Sequence, residues 1–465
     1  MAKKKIAIVG AGAVGCYAGA HMVQAGEDVT YIDPWPENVE AIRNDGLRVT
    51  HIRDVEPFTV KPRALHLTEA QQLNKEAPID IAFVCMKSYD TAWATAMIKQ
   101  YLAPGGYVVS LQNCMNEETI AGIVGWGKTL GSIASSITVE LHAPGQVRRA
   151  AGKSGSRHTV FRVGEVHGRI TERAKEVCKL VGYADSAMVT ENLWGERWSK
   201  LVTNVMGNGL SACTGMITRD MIKNDAIRRF SNRLGSEAIR VGQALGYTFD
   251  EVSHMDPETL ARAGEGDPAA QREIDEHRLG EANRPGGGEH RPSMGQDMVK
   301  GRRTEIQFLN GFVVREGEKV GIAAPTNAVL TDIVTRVERG ELKPDPRQIN
   351  DLRLNGRRCG KAPHPPSLAR WWVRVSRGEM SNAGRSQHPQ RPRTRRDPRG
   401  TGAGAGAERG AGRGAGVFAQ PRRIAALADP PRRLAGGPGR QRGGGASRRG
   451  RQQPRGRGAG RRADR

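Results

Sequence analysis

The first 33 residues limit what this chain can fold into more than any other stretch. Ile6–Gly10, "IAIVG", is a short continuous apolar run, the pattern of a strand buried on both faces. "GAGAVG" follows at once and places glycines at Gly10, Gly12 and Gly15. "CYAGAHMVQAG" then has helical spacing and stops at Gly26, and "DVTYID" is a second strand ending in Asp33. Strand, glycine turn, helix, strand, acid is the order of a βαβ unit in a parallel sheet. Each glycine has its own physical reason. Gly10 permits the tight turn, Gly12 lets a ligand's phosphates approach the backbone, and Gly15 lets the helix pack on the strand. The first N–H groups of the helix, around Ala13 and Val14, lack partners and sit at a positive dipole end. Gly10, Gly12, Ala13, Val14 and Gly15 are therefore expected to hold the pyrophosphate of a dinucleotide.

Asp33 lies 18 residues beyond Gly15. A carboxylate there accepts from the ribose 2′-OH of NAD and repels the 2′-phosphate of NADP. The residues that follow, Pro34, Trp35 and Pro36, bring no adjacent Arg or Lys. Local chemistry thus favours NADH, against the plainer reading of Asp33 as a turn acid at a strand end. The opening three lysines and apolar run also fit a secretory signal peptide, and "AVGC" mimics a lipoprotein cleavage box. The glycines interrupt the apolar region that such a signal needs, and cleavage would remove the first strand.

Two more buried strands follow, "IDIAFVCMKS" running out to Lys87 and "GGYVVSLQN" ending at Asn113. Ligands of open α/β sheets sit at the carboxyl ends of strands, so Lys87 and Asn113 are expected to touch cofactor or substrate. "TLGSIASSITVEL" and "HTVFRVGEV" read as later strands, and residues 1–190 as one dinucleotide-binding domain. From Glu191 to Met216 the pattern becomes a long helix in which Lys200, Asn204 and Asn208 recur at i, i+4 and i+8, on one face. Asn is a poor mid-helix residue unless it binds something, which argues for a functional row over a merely solvated face. A second polar segment, Arg291–Asn327, offers Ser293, Gln296, Asp297, Arg303 and Glu305, with a helix expected from Thr304 to Gly321. Residues 251–290 are polar and glycine-rich, and read as a loop or an insertion of short helices.

The formal net charge of +23 does not describe this body. Residues 356–465 hold 28 Lys+Arg against 5 Asp+Glu, and the first 355 residues hold 44 of each. The last segment is Arg, Gly, Ala and Pro without apolar periodicity, which predicts disorder. Two origins fit it: a polyanion-binding tail, or an out-of-frame reading of a GC-rich gene. The six cysteines are scattered, with no CxxC pair and no histidine at metal spacing. A reduced, cytoplasmic protein without disulfides or a metal site is expected. No later apolar run has membrane length.

"GAGAVG", "CMKSYDT", "SLQN", "ERWSKLVTNVMGN" and "RPSMGQDMVKGRRTEIQFLNG" together resemble the ketopantoate reductases (2-dehydropantoate 2-reductases) over residues 4–350. The resemblance implies an N-terminal Rossmann domain and an all-α C-terminal domain, 191–350, like that of 6-phosphogluconate dehydrogenase. It implies reduction of a small 2-ketoacid with NAD(P)H. Lys200 then matches the catalytic lysine and Glu305 the glutamate that supports it. Asn113, Asn204, Asn208 and Ser293 match polar residues around the substrate, and Lys87 the lysine beside the cofactor. The departure is Asp33, where NADPH-using members carry a basic residue. Nothing in the body calls for a specific nucleic acid or a membrane, and a homodimer is left open. Another 2-ketoacid or hydroxyacid, a dinucleotide sensor without turnover and a tail-driven RNA binder are the competing functions.

Overall fold

A computed structural model of the chain describes residues 3–354, except 53–54, 136, 151 and 154–157. The expected disordered segment 356–465 lies outside the described residues. Twelve strands are β1 (Lys5–Val9), β2 (Asp28–Asp33), β3 (Leu47–His51), β4 (Phe58–Val60), β5 (Arg63–His66), β6 (Ile79–Val84), β7 (Leu102–Ser110), β8 (Thr129–Ala134), β9 (Val139–Ala143), β10 (Gln146–Arg149), β11 (Phe161–Glu165) and β12 (Ala187–Thr190). Eight of them form one sheet in the order β12-β11-β8-β7-β6-β1-β2-β5. Its pairs are parallel except β8 with β11. Strand order reverses at β1, which has β2 on one side and β6 on the other. Ile6, Ala7, Ile8 and Val9 are all buried, as a central strand covered on both faces requires.

The helices of this half are α1 (Ala13–Gln24), α2 (Pro36–Asn44), α3 (Thr91–Lys99), α4 (Glu117–Val124) and α5 (Glu172–Gly182). Their apolar faces cover the sheet: Cys16, Tyr17 and Val177 belong to the core on one side, Ala94, Ile98 and Ile120 to the core on the other. A second sheet, β4-β3-β10-β9, packs on α1. The run "TLGSIASSITVEL", which looks like one stretch of β structure, is thus two strands in two different sheets.

The other half is helical: α6 (Leu193–Thr214), α7 (Thr218–Lys223), α8 (Asp225–Ala244), α9 (Pro257–Glu265), α10 (Pro268–Asn283), α11 (Ser293–Val299), α12 (Asn310–Val320), α13 (Pro325–Glu338) and α14 (Arg347–Leu354). α6 is its axis and packs against α8, α11 and α13. Asn192 caps its start by accepting from the Gly195 N–H at 3.2 Å, and Gly215 ends it with a left-handed φ of 73°. Most of 257–283 is helix. Asp256 and Asp267 cap the two segments, and proline stands at the first turn of each. The helix expected from Thr304 begins only at Asn310, after a 3-10 turn at Ile306–Phe308. Both halves belong to one compact unit. Among the described residues no helix is long and apolar enough to cross a membrane.

Candidate active site

The glycine turn after β1 is shaped by contacts. Gly10 adopts φ 105°, and a β-carbon there would meet the Met86 sulfur at 2.6 Å. A β-carbon on Gly15 would lie 2.2 Å from the Gly10 carbonyl, so α1 can approach β1 only with glycine here. Gly12 faces open space, with nothing within 4 Å of a β-carbon. No side chain caps α1. An uncapped helix N-terminus behind an open glycine is a fit for a pyrophosphate. Asn38, which the sequence reading overlooked, is fully buried and fixes the turn: its amide donates to the Ala11 carbonyl at 3.0 Å and accepts from the Gly145 N–H at 2.8 Å.

Asp33 ends β2 and is 7% exposed. One carboxylate oxygen accepts from the Ala11 N–H at 2.6 Å, the other from the Trp35 N–H at 2.9 Å. Burial pushes its pKa up, and those two backbone bonds pull it partly back. The acid therefore braces the glycine turn from within while standing at the strand end.

Lys87 leaves the end of β6 and meets the helical half. Its ammonium lies 2.5 Å from Asp297, 3.3 Å from Ser293 and 3.3 Å from Glu305. Burial lowers the Lys87 pKa, but the carboxylates of Glu305 and Asp297 outweigh it and hold the group above the ordinary lysine range. Glu305 also accepts from the Ser88 N–H at 2.9 Å and the Ser88 hydroxyl at 2.8 Å. Asn116 donates to that hydroxyl at 3.2 Å. Ser88 and Asn116 went unread in the sequence; their only signal is position, just beyond Lys87 and Asn113 at two strand ends.

Asn113 stands at the exit of β7. The next residue, Cys114, has φ 66°, a conformation that residues with a β-carbon seldom adopt. From the helical half, the Asn204 amide donates to the Asn113 side-chain oxygen at 3.4 Å, near the limit of a hydrogen bond. Asn204 and Asn208 are 8% and 9% exposed. Lys200, one turn before Asn204 on the same face, is half-buried, and its ammonium makes no hydrogen bond or ion pair among the described residues. Burial lowers its pKa to about 8. His290, before α11, is close enough for the Lys200 charge to add to the effect of burial in lowering its pKa.

One turn before Lys200, Arg197 locks α6 onto the sheet. It is 2% exposed, pairs with the buried Glu117 and donates to the Gln112 carbonyl at 2.6 Å. The structure thus gathers Lys87, Ser293 and Glu305 in one group and Asn113 with Asn204 in another. Among the described residues no hydrogen bond or ion pair joins Glu305 to Lys200.

Comparison with known proteins finds family matches on both halves of the chain. The family description "Ketopantoate reductase PanE/ApbA" matches residues 6–159, and "Ketopantoate reductase PanE/ApbA C terminal" matches residues 192–338. The chain belongs to the ketopantoate reductase family. It is 28% identical to a 2-dehydropantoate 2-reductase of Archaeoglobus fulgidus over 342 residues, which is 73% of this chain and 100% of the relative. A 2-dehydropantoate 2-reductase of Pyrococcus abyssi is also 28% identical, over 73% of this chain and 99% of its own length. Among solved structures, a PanE/ApbA family ketopantoate reductase from Ralstonia eutropha superposes with TM-score 0.58 at 27% identity, over 72% of this chain and 99% of that one. A D-mandelate dehydrogenase with NADH and anilino(oxo)acetate gives TM-score 0.60 at 23% identity over the same shares, a likeness of fold.

Proposed function

We propose that this protein reduces a small 2-ketoacid, with ketopantoate the first candidate, and that Lys200 is the proton donor. The observation that carries this is the half-buried Lys200 ammonium with no hydrogen bond or ion pair among the described residues, in line with two buried amides, of which Asn204 reaches Asn113 in the dinucleotide half. A nicotinamide dinucleotide, when bound, supplies the hydride for such a reaction. Its phosphates suit the uncapped start of α1 and the open face of Gly12. Asp33 at the end of β2 favours NADH over NADPH.

As the ketone carbon is reduced, negative charge grows on its oxygen. An ammonium at Lys200 stabilises that charge and then transfers its proton. A pKa of about 8 suits the step, because the group is charged at neutral pH yet gives up its proton readily. Asn113, Asn204 and Asn208 hold carboxylate or hydroxyl groups of the substrate without adding charge. Ser293 does the same from the start of α11. Lys87 and Glu305 pair between the two halves, and Glu305 acts on the site through Lys87 and Ser88 rather than through a bond to Lys200.

The test is initial-rate measurement of ketopantoate reduction by the full chain, with NADH and NADPH side by side. Turnover with either supports the reductase reading, and a higher kcat/KM with NADH supports the role of Asp33. Binding of nucleotide without turnover of ketopantoate would shift the substrate to another 2-ketoacid.

A further inference from the structure

Six residues of the helical half, Lys300–Glu305, cross onto the dinucleotide half as a strap. Lys300 donates to the Leu141 carbonyl at 3.2 Å, and Glu305 holds Ser88. The Arg303 guanidinium lies 4.5 Å from the centre of the Tyr89 ring. Between them Arg302 lies over the Trp35 ring at 5.5 Å, two residues past Asp33. The segment is held in place: the Arg302 N–H donates to the Asp297 carbonyl at 2.8 Å, and Gly301 turns the chain with φ 61°.

The Arg302 guanidinium is exposed and, among the described residues, makes no hydrogen bond and no ion pair. It is near enough to Asp33 for its charge to act on that carboxyl group. His66 is the other basic side chain there, and its ring is already committed. One nitrogen lies 2.8 Å from the Thr68 hydroxyl and the other 3.0 Å from the Pro34 carbonyl. Arg302 thus brings to the end of β2 a guanidinium that, among the described residues, has no hydrogen bond or ion pair of its own. Its aromatic support restrains the guanidinium while leaving its donors free. Asp33, in turn, has both oxygens occupied by backbone N–H groups.

We propose that Arg302, delivered by the helical half, receives the 2′-phosphate of NADPH beside Asp33, so that the protein accepts both dinucleotides although its β2 acid favours NADH. This rests on the reductase reading above. A phosphate at the ribose 2′ position would meet one buried, backbone-bonded carboxylate and one free guanidinium. An arginine–phosphate contact adds parallel charge-assisted hydrogen bonds that a 2′-hydroxyl does not need.

The test is equilibrium binding, independent of turnover. The full chain and Arg302→Ala are titrated calorimetrically at fixed salt with NADPH, NADH, adenosine 2′,5′-bisphosphate and 5′-AMP. The arginine-rich tail is present in both proteins, so its unspecific attraction cancels. The expected result is a Kd for NADPH and the bisphosphate raised about ten-fold or more, with NADH and 5′-AMP changed less than about three-fold. Arg302→Lys should recover part of the loss. Equal weakening of all four ligands would overturn the proposal, because Arg302 would then serve the shared adenosine or the fold. Unchanged NADPH affinity in Arg302→Ala would overturn it too, and so would an unaltered chain that binds NADH but not NADPH. If the unaltered chain bound neither dinucleotide, the reductase reading would fall with it, and that outcome is distinct from the others. Arg302 is exposed, so the variant should melt at the parent temperature.

Discussion

Lys200 is useful as an acid only if it is charged before the reaction and loses its proton easily during it. Burial with no neighbouring carboxylate satisfies both conditions by lowering its pKa to about 8. The sign for catalysis follows. Reduction needs the protonated form, so kcat/KM for reduction should be level below pH 8 and fall up to ten-fold per unit above it. The reverse oxidation needs the neutral amine and should rise through the same pH. Initial rates in both directions from pH 6 to 10 check this, and a reductive profile flat to pH 10 would remove Lys200 from the role. Lys200→Ala should lower kcat by about 100-fold or more, the scale of lost acid catalysis. Near-normal turnover in that variant would do the same damage. The row Lys200, Asn204, Asn208 could be read from sequence because spacing of four on a helix fixes a shared face. The partners of Glu305 could not. Spacing says which residues of one helix lie together, but not which distant strand end packs on them. Ser88 and Lys87, more than two hundred residues away, became visible only in three dimensions.

At the scale of the element, the role proposed for Lys200 requires α6 to be fixed against the exit of β7, where Arg197 donates to the Gln112 carbonyl. Arg197 and Glu117 do this from inside the protein, at 2% and 0% exposure. A buried pair gives little net stability over apolar residues of the same size, but removing one partner strands the other charge. Glu117→Ala should therefore destabilise the fold by about 3–5 kcal/mol. Glu172→Ala, which breaks an exposed pair with Lys175 on α5, should cost about 0.5 kcal/mol or less. Urea unfolding midpoints of the two variants test the contrast, and similar values for both would show that Arg197 finds another partner. The length of α6 was legible in its apolar spacing to within two residues at each end. The split of "TLGSIASSITVEL" was not, because an apolar run records burial and not which sheet supplies it. α9 and α10 were partly hidden as well. Their sequence is polar and glycine-rich, and each is started by a capping aspartate and a proline that also suit a loop.

For the molecule as a whole, the distribution of charge separates what the family relation covers from what it does not. The matched relatives are spanned over 99–100% of their length by 73% of this chain. The matched family regions end at residue 338, and the first 355 residues are balanced in formal charge. The whole excess of +23 lies beyond them. Every residue assigned here to the site lies between Gly10 and Glu305, in a body with its own buried cores in both halves. Removing residues 356–465 should therefore leave kcat/KM for the ketoacid within about two-fold, while affinity for a polyanion should collapse. Retention on immobilised heparin reads the second effect. The full chain should elute at clearly higher salt than the shortened one, since release of counterions by many arginines is steeply salt-dependent. If the shortened protein folds and binds nucleotide but loses turnover, the site draws on the basic segment, and the row of polar residues on α6 is not sufficient for the chemistry. If turnover is kept and heparin retention disappears, the arginine-rich segment and the reductase body are separable in function as they are in charge.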